Sequence, residues 1–223
     1  MLSLCPHAVL FDLDGTIADT APDLLGALNR LLARHQRPPL SLEDTRHEAS
    51  NGAMGMLRAG FGVTAQDASY AGLRQDFIQL YAEHLCDQTR LFDGIEELLA
   101  RLEQERLPWG IVTNKPVHLA RPLVAALGLA PAVLLGGDSS VRPKPAPDSL
   151  ELACAHLRAT PEHCIYIGDA RRDIEAGQAA GMRTIVAAFG YLSADDDPHT
   201  WGADRVAARP QDLLPARPPQ TDA

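Results

Sequence analysis

Four consecutive apolar residues, Ala8-Val9-Leu10-Phe11, run without polar alternation into Asp12, and no other feature constrains the fold of this chain as tightly. A strand with one wet face alternates apolar and polar side chains; a strand covered on both faces does not. Cover on both faces means helices packed above and below a parallel sheet. The rest of the chain repeats the theme, with further apolar runs at 109–112, 132–135, 164–167 and 184–188. Between them, residues 95–102, 119–127, 149–157 and 174–180 place apolar side chains at helical spacing, and Gly128 and Gly181 stand where two of these helices end. The pattern predicts an α/β fold, a doubly wound, Rossmann-like core with at least five parallel strands.

Residues 40–90 break this alternation and give helical patterns only, such as Leu73, Phe77, Leu80, Tyr81 and Leu85. Ahead of them, Thr20, Pro22 and Asp23 read as a helix N-cap, an early proline and a capping acid. The helix they open keeps Leu24, Leu25, Leu28, Leu31 and Leu32 on one stripe until Pro38-Pro39 stops it. An all-helical block inserted after the first strand reads as a lid. The expected division is a core of residues 1–17 and 91–223 with a helical cap of residues 18–90. The tail from Pro210, with Pro215, Pro218 and Pro219, is expected to fray.

Composition removes several function classes. With 20 Lys and Arg against 29 Asp and Glu, the net charge of −9 lacks the basic footprint of a nucleic-acid binder. No apolar run approaches the ~20 residues of a membrane span. Residues 1–11 carry no Lys or Arg, so no secretory leader is expected and the location expected is cytoplasmic. Of the four cysteines, Cys5, Cys86 and Cys154 each lie two residues from a histidine. Two of these pairs fall in helical stretches, where residues two apart diverge, so reduced thiols are expected rather than a zinc site.

Ligands of open parallel sheets bind beyond the carboxyl ends of the strands, and four such ends carry polar chemistry. Asp12, Asp14, Gly15 and Thr16 follow the first run; Thr113, Asn114 and Lys115 follow Val112; Lys144 lies in a loop beyond Leu135; Gly168, Asp169 and Asp173 follow Ile167. Asp12 and Asp14, two apart on extended chain, can project to one side. Held close to Asp169 they repel one another unless a cation sits among them or one of them is protonated. Carboxylates suit Mg²⁺, so the expected metal set is Asp12, Asp14 and Asp169.

Asp-x-Asp-Gly-Thr at 12–16, Thr113, Lys144 and Gly-Asp-x-x-x-Asp at 168–173 resemble the four motifs of the haloacid dehalogenase superfamily, and the inserted helices resemble its small cap. The resemblance implies a phosphatase of a small phosphorylated metabolite, a monomer or homodimer. It implies Asp12 as the nucleophile that becomes an aspartyl-phosphate and Asp14 as general acid and base. It further implies Lys144 as charge compensator and substrate ligand, Thr113 and the Asn114 amide on the phosphoryl oxygens, and Asp173 as an orienting residue behind them. A carboxylate at 14 favours phosphate esters over dehalogenation or phosphonate cleavage. Asp-Thr-Ala-Pro-Asp-Leu at 19–24 and Asn51-Gly52 are similar to the phosphoglycolate phosphatase group, making 2-phosphoglycolate the first expected substrate. Trp201-Gly202-Ala203-Asp204 is similar to a group acting on N-acetylmuramic acid 6-phosphate.

Other readings stay open at this level. A phosphosugar mutase uses the same motifs, and a phospho-accepting signalling module also clusters acids, Thr, Lys and Mg²⁺, without a cap. Arg46, His47 and Asn51 suit either a substrate-facing cap loop or plain surface, and Arg171-Arg172 read as exposed residues at a helix start, with a substrate role as the alternative.

Overall fold

The computed structural model describes residues 6–140 and 142–213 of the chain. Cys5, Pro215, Pro218 and Pro219 lie outside the described residues. Among the described residues eight strands occur in chain order: β1 (Ala8–Phe11), β2 (Ala18–Asp19), β3 (Arg90–Leu91), β4 (Trp109–Val112), β5 (Val133–Leu135), β6 (Cys164–Gly168), β7 (Arg183–Ala187) and β8 (Arg205–Ala207). The α-helices are α1 (Ala21–Arg34), α2 (Leu42–Thr45), α3 (Gly52–Phe61), α4 (Tyr70–Glu83), α5 (Ile95–Gln104), α6 (Val117–Ala126), α7 (Asp148–Leu157) and α8 (Arg171–Ala179).

Six strands form one sheet in the order β5-β4-β1-β6-β7-β8, and every pairing in it is parallel. The apolar run that opens the chain therefore occupies the centre. Its residues alternate between two cores. Val9 and Phe11 pack with Leu98 and Leu102 of α5 and Leu123 of α6, while Ala8 and Leu10 face Leu150 of α7 and Ala176 of α8. A buried aromatic such as Phe11 is worth about 3–5 kcal/mol against alanine. From β1 the chain builds outward through β4 and β5, then returns to the other flank of β1 as β6. That reversal opens a crevice beyond the carboxyl ends of β1, β4 and β6, where Asp12, Thr113 and Asp169 stand.

The strand β8 was not expected from the sequence. Its three residues carry Arg205 at one end, and pairing to β7 rather than hydrophobicity defines it. The tail also departs from expectation within the described residues: Leu213 is fully buried in the main core instead of frayed.

Helices α1, α3 and α4 bury a core of their own, in which Leu24, Leu28 and Leu31 meet Met56, Phe77 and Leu80. Two crossings connect this block to the sheet, and β2 and β3 zip them together as an antiparallel ribbon beside the expected boundaries. The start of α1 corrects the capping expectation. Thr20 occupies the cap position but makes no cap hydrogen bond, and its hydroxyl donates to Asp14 at 2.6 Å. Asp23 reaches across the chain to accept the Gln88 and Thr89 amides and the Thr89 hydroxyl, clamping the return crossing. Long-range donors have outcompeted the local cap. No described helix is long and apolar enough to cross a membrane.

Candidate active site

Asp12 extends the β1 ladder by one bond, its amide donating to Ile167 O at 2.8 Å, and the residue is only 3% exposed. Lys144 Nζ lies 3.0 Å from Asp12 Oδ1, an ion pair by distance that is out of line for a hydrogen bond. The ammonium donates instead to Val112 O at 3.1 Å and the Tyr166 hydroxyl at 2.6 Å, and stands 2.7 Å from Asp173 Oδ1. The Asn114 side chain grips the Lys144 main chain from both sides, at 2.9 and 3.0 Å. Asn114 thus positions the lysine loop with its side chain. The Thr113 hydroxyl oxygen accepts the Lys115 amide at 3.2 Å, and Thr113 lines the cavity beside Asp12.

The carboxylates that converge are Asp12, Asp169 and Asp173, all buried and each with an oxygen within 4.8 Å of the others. This differs from the expected set of Asp12, Asp14 and Asp169, because Asp14 turns aside. Its Oδ1 accepts from the Thr20 hydroxyl and from Lys115 Nζ, at 2.6 and 2.7 Å. Asp173, expected behind the metal ligands, sits among them, but both its oxygens are engaged, one near Lys144 and one accepting the Ala170 amide at 3.0 Å. Asp12 and Asp169 are left as the donors best placed for a cation. Burial first, and then the charges of Asp173 and Asp12, push the Asp169 carboxyl up to about 8, against a small opposing effect from the Tyr191 amide. Three buried acids held so close lack sufficient positive charge, and a hard divalent cation with oxygen ligands fits that deficit.

Gly15 makes the crowding possible. It adopts φ +82°, and a methyl there would overlap the Asp169 carboxylate.

Lys115 ties three segments together. Besides Asp14 it stands 4.7 Å from the centroid of the Tyr81 ring on α4. Burial alone would depress its ammonium, but Asp14 more than reverses this and keeps it charged. The Tyr81 hydroxyl is buried without a hydrogen-bond partner among the described residues, and burial pushes it up to about 12.

Above Asp12 opens a cavity of about 600 Å³ between the strand ends and the helical block. Lys144, Asp169 and Asp173 lie behind Asp12 and do not line it. Arg172 does, which corrects its reading as an exposed helix-start residue: its guanidinium donates to Ser50 O and Oγ and to Asn51 Oδ1, clasping the loop before α3. Arg171 does point outward, pairing with Glu175. Arg46 lies elsewhere, bonded to Asp19 at 2.9 Å by the ribbon, and His47 stands 3.8 Å from Glu48. The 201–204 segment also avoids the cavity: Trp201 packs on Ile174 and Val186, and Asp204 accepts the Thr184 amide.

Sequence reasoning missed Tyr166 and Tyr191. Tyr166 hides in an apolar strand, and only its inward direction beside Lys144 reveals it. Tyr191 lies far along the chain from Asp169 and Thr20, so spacing could not have found it.

Comparison with known proteins places this geometry in context. A family model described as haloacid dehalogenase-like hydrolase matches residues 6–181. The N-acetylmuramic acid 6-phosphate phosphatase of Pseudomonas aeruginosa is 43% identical over 209 residues, 93% of this chain and 92% of that protein. A phosphoglycolate phosphatase of Xanthomonas campestris pv. campestris is 42% identical over 218 residues, 96% of this chain and 98% of its own. In fold, a crystal structure from Haemophilus somnus, described as that of a predicted phosphoglycolate phosphatase, superposes with a TM-score of 0.83 at 24% identity, covering 95% of this chain and 98% of that one.

Proposed function

This chain belongs to the haloacid dehalogenase-like hydrolases and is a phosphoric monoester hydrolase, and from that membership we propose that it is a Mg²⁺-dependent phosphatase of a small, cytoplasmic, carboxylated metabolite working through Asp12. The observation that carries the reading is Asp12 Oδ1, a buried oxygen with no hydrogen-bond donor among the described residues, at the floor of a cavity and 3.0 Å from Lys144.

Asp12 attacks phosphorus, the ester oxygen departs, and an aspartyl-phosphate forms. Asp14 gives the departing alkoxide its proton and takes one from the water that then attacks the intermediate, releasing inorganic phosphate and restoring Asp12. The Thr113 hydroxyl and Asn114 amide donate to the phosphoryl oxygens, and Lys144, steadied by Asp173 and Tyr166, offsets the charge of Asp12. Asp12 and Asp169 would hold Mg²⁺, which would supply positive charge to let a carboxylate approach a phosphate ester. The helical block over the cavity excludes bulk water.

Two substrates suit this site. The 19–24 and 51–52 segments point to 2-phosphoglycolate, and the Xanthomonas relative carries that name. The cavity, about 600 Å³, is far larger than so small an acid needs and fits an acylated amino sugar better. The geometry therefore favours N-acetylmuramic acid 6-phosphate, the substrate in the name of the Pseudomonas relative. A phosphosugar mutase would share Asp12 but return its phosphate to sugar instead of water.

The test is phosphate release with Mg²⁺ from N-acetylmuramic acid 6-phosphate, 2-phosphoglycolate and hexose phosphates. The expected order puts the muramic ester first. Release from none of them, or only with a bisphosphate activator present, would refute the proposal.

A further inference from the structure

Three cations line the cavity: Lys115, Arg172 and Arg74. Lys115 is held by Asp14 and Arg172 by Ser50 and Asn51. Among the described residues no hydrogen bond or ion pair engages Arg74, although acids make up 29 positions of the chain. An arginine is a fork of five donors shaped for a carboxylate or phosphate. Arg74 is exposed and lines the cavity wall, so its fork is open to an anion held there.

Its place on α4 gives the distance. Arg74, Phe77, Ile78 and Tyr81 all line the cavity, spaced so that they share one face of the helix. Tyr81 marks the catalytic end, since Lys115 lies over its ring and also bonds Asp14. Arg74 is seven residues earlier, which at about 1.5 Å per residue is roughly 10 Å along the helix. Between the two lie the apolar Phe77 and Ile78, which offer packing and no hydrogen bonds.

Resting on the phosphatase reading above, the geometry points to a second anion subsite: Arg74 binds a carboxylate set a sugar's length from the phosphate, with Phe77 and Ile78 against the intervening body. The separation discriminates by size. A carboxylate one carbon from the phosphate oxygen cannot reach Arg74 while its phosphate sits at Asp12. A lactyl carboxylate across a pyranose ring can. The cap helix thereby selects for charge at the far end of the ester, and the phosphate end is common to all substrates.

The experiment compares binding of N-acetylmuramic acid 6-phosphate and N-acetylglucosamine 6-phosphate, which differ only by the lactyl group, to the Asp12→Asn protein by calorimetry with Mg²⁺. The muramic ester is expected to bind about 10–100-fold tighter, the usual worth of a charge-assisted contact. Adding Arg74→Gln is expected to collapse that ratio towards unity, and Arg74→Lys to restore part of it. A merely structural effect would weaken both sugars alike and leave the ratio intact. Equal affinities in the parent protein, or a ratio unmoved by Arg74→Gln, would overturn the inference. A preserved binding preference without phosphate release by the wild-type enzyme would count against the proposed reaction and still support the subsite.

Discussion

The main-chain amide of Tyr191 donates to Asp169 Oδ2 at 3.0 Å, so one residue holds an acid of the buried cluster and, through its side chain, the root of the cap. Its hydroxyl accepts the Thr20 and Ala21 amides at 2.6 and 2.9 Å and donates to Asp19 at 2.9 Å. The hinge of the helical block and the carboxylate cluster are therefore positioned by the same loop.

Tyr191→Phe keeps the ring and removes the acceptor from two buried amides at the start of α1. Leaving such groups unsatisfied costs about 1–3 kcal/mol each. Urea unfolding is expected to show a loss of about 2–6 kcal/mol for the two together; an unchanged midpoint would mean the hydroxyl is not holding the hinge.

Asp12→Asn is expected to lower turnover on the order of 10⁴-fold or more, because the amide cannot form the acyl phosphate. Arg171→Ala is expected to retain most activity, since Arg171 pairs with Glu175 on the solvent side of α8. Steady-state rates for the two variants check this, and the reverse ranking would remove Asp12 as nucleophile.

Asp14→Asn separates two leaving groups. Alkyl phosphates need a proton on the departing oxygen, so their rate is expected to fall about 10²–10⁴-fold. An aryl ester such as p-nitrophenyl phosphate departs as a stable phenolate and is expected to suffer much less in the step that forms the intermediate. Pre-steady-state bursts with both esters read the difference, and equal losses would deny Asp14 the role of acid.

Asp169 makes the protein sensitive to pH and metal together. Its folded pKa of about 8 exceeds the unfolded carboxylate value, so the stability it contributes is full below about pH 4 and is lost as pH rises towards about 8. In chelator, urea midpoints should fall across that window, and Asp169→Asn should flatten the slope. Apparent Mg²⁺ affinity should rise by up to about tenfold per pH unit over the same window, since binding displaces the proton. A metal affinity independent of pH there would contradict the cluster's electrostatics.

Lys144→Met leaves Asp12 and Asp173 buried without their ammonium. Removing one partner of a buried pair costs about 3–5 kcal/mol. The loss is expected in metal-free thermal or urea unfolding and should shrink at low pH, where the acids take up protons; equal losses at all pH values would argue that packing of the lysine stem dominates.

The sequence by itself determined the core and the inventory of the site. Unbroken apolar runs such as 8–11 and 164–167 can be buried only between two layers of helix, so their number and order imply a parallel sheet, and polar residues at run ends must collect at its carboxyl edge. Asp12, Thr113, Lys144 and Asp169 were legible for that reason. Tertiary structure alone decided where each side chain turns. Asp14 faces Lys115 and Thr20 instead of Asp169, Asp173 joins the buried acids, and Asp23 clamps a crossing instead of capping its own helix. Each choice depends on at least one partner tens of residues or more away, whose approach no local period encodes. The same holds for Arg74: helical spacing places it on the face of Phe77 and Tyr81, but only the folded cap shows that this face looks into a cavity and that no acid among the described residues pairs with it.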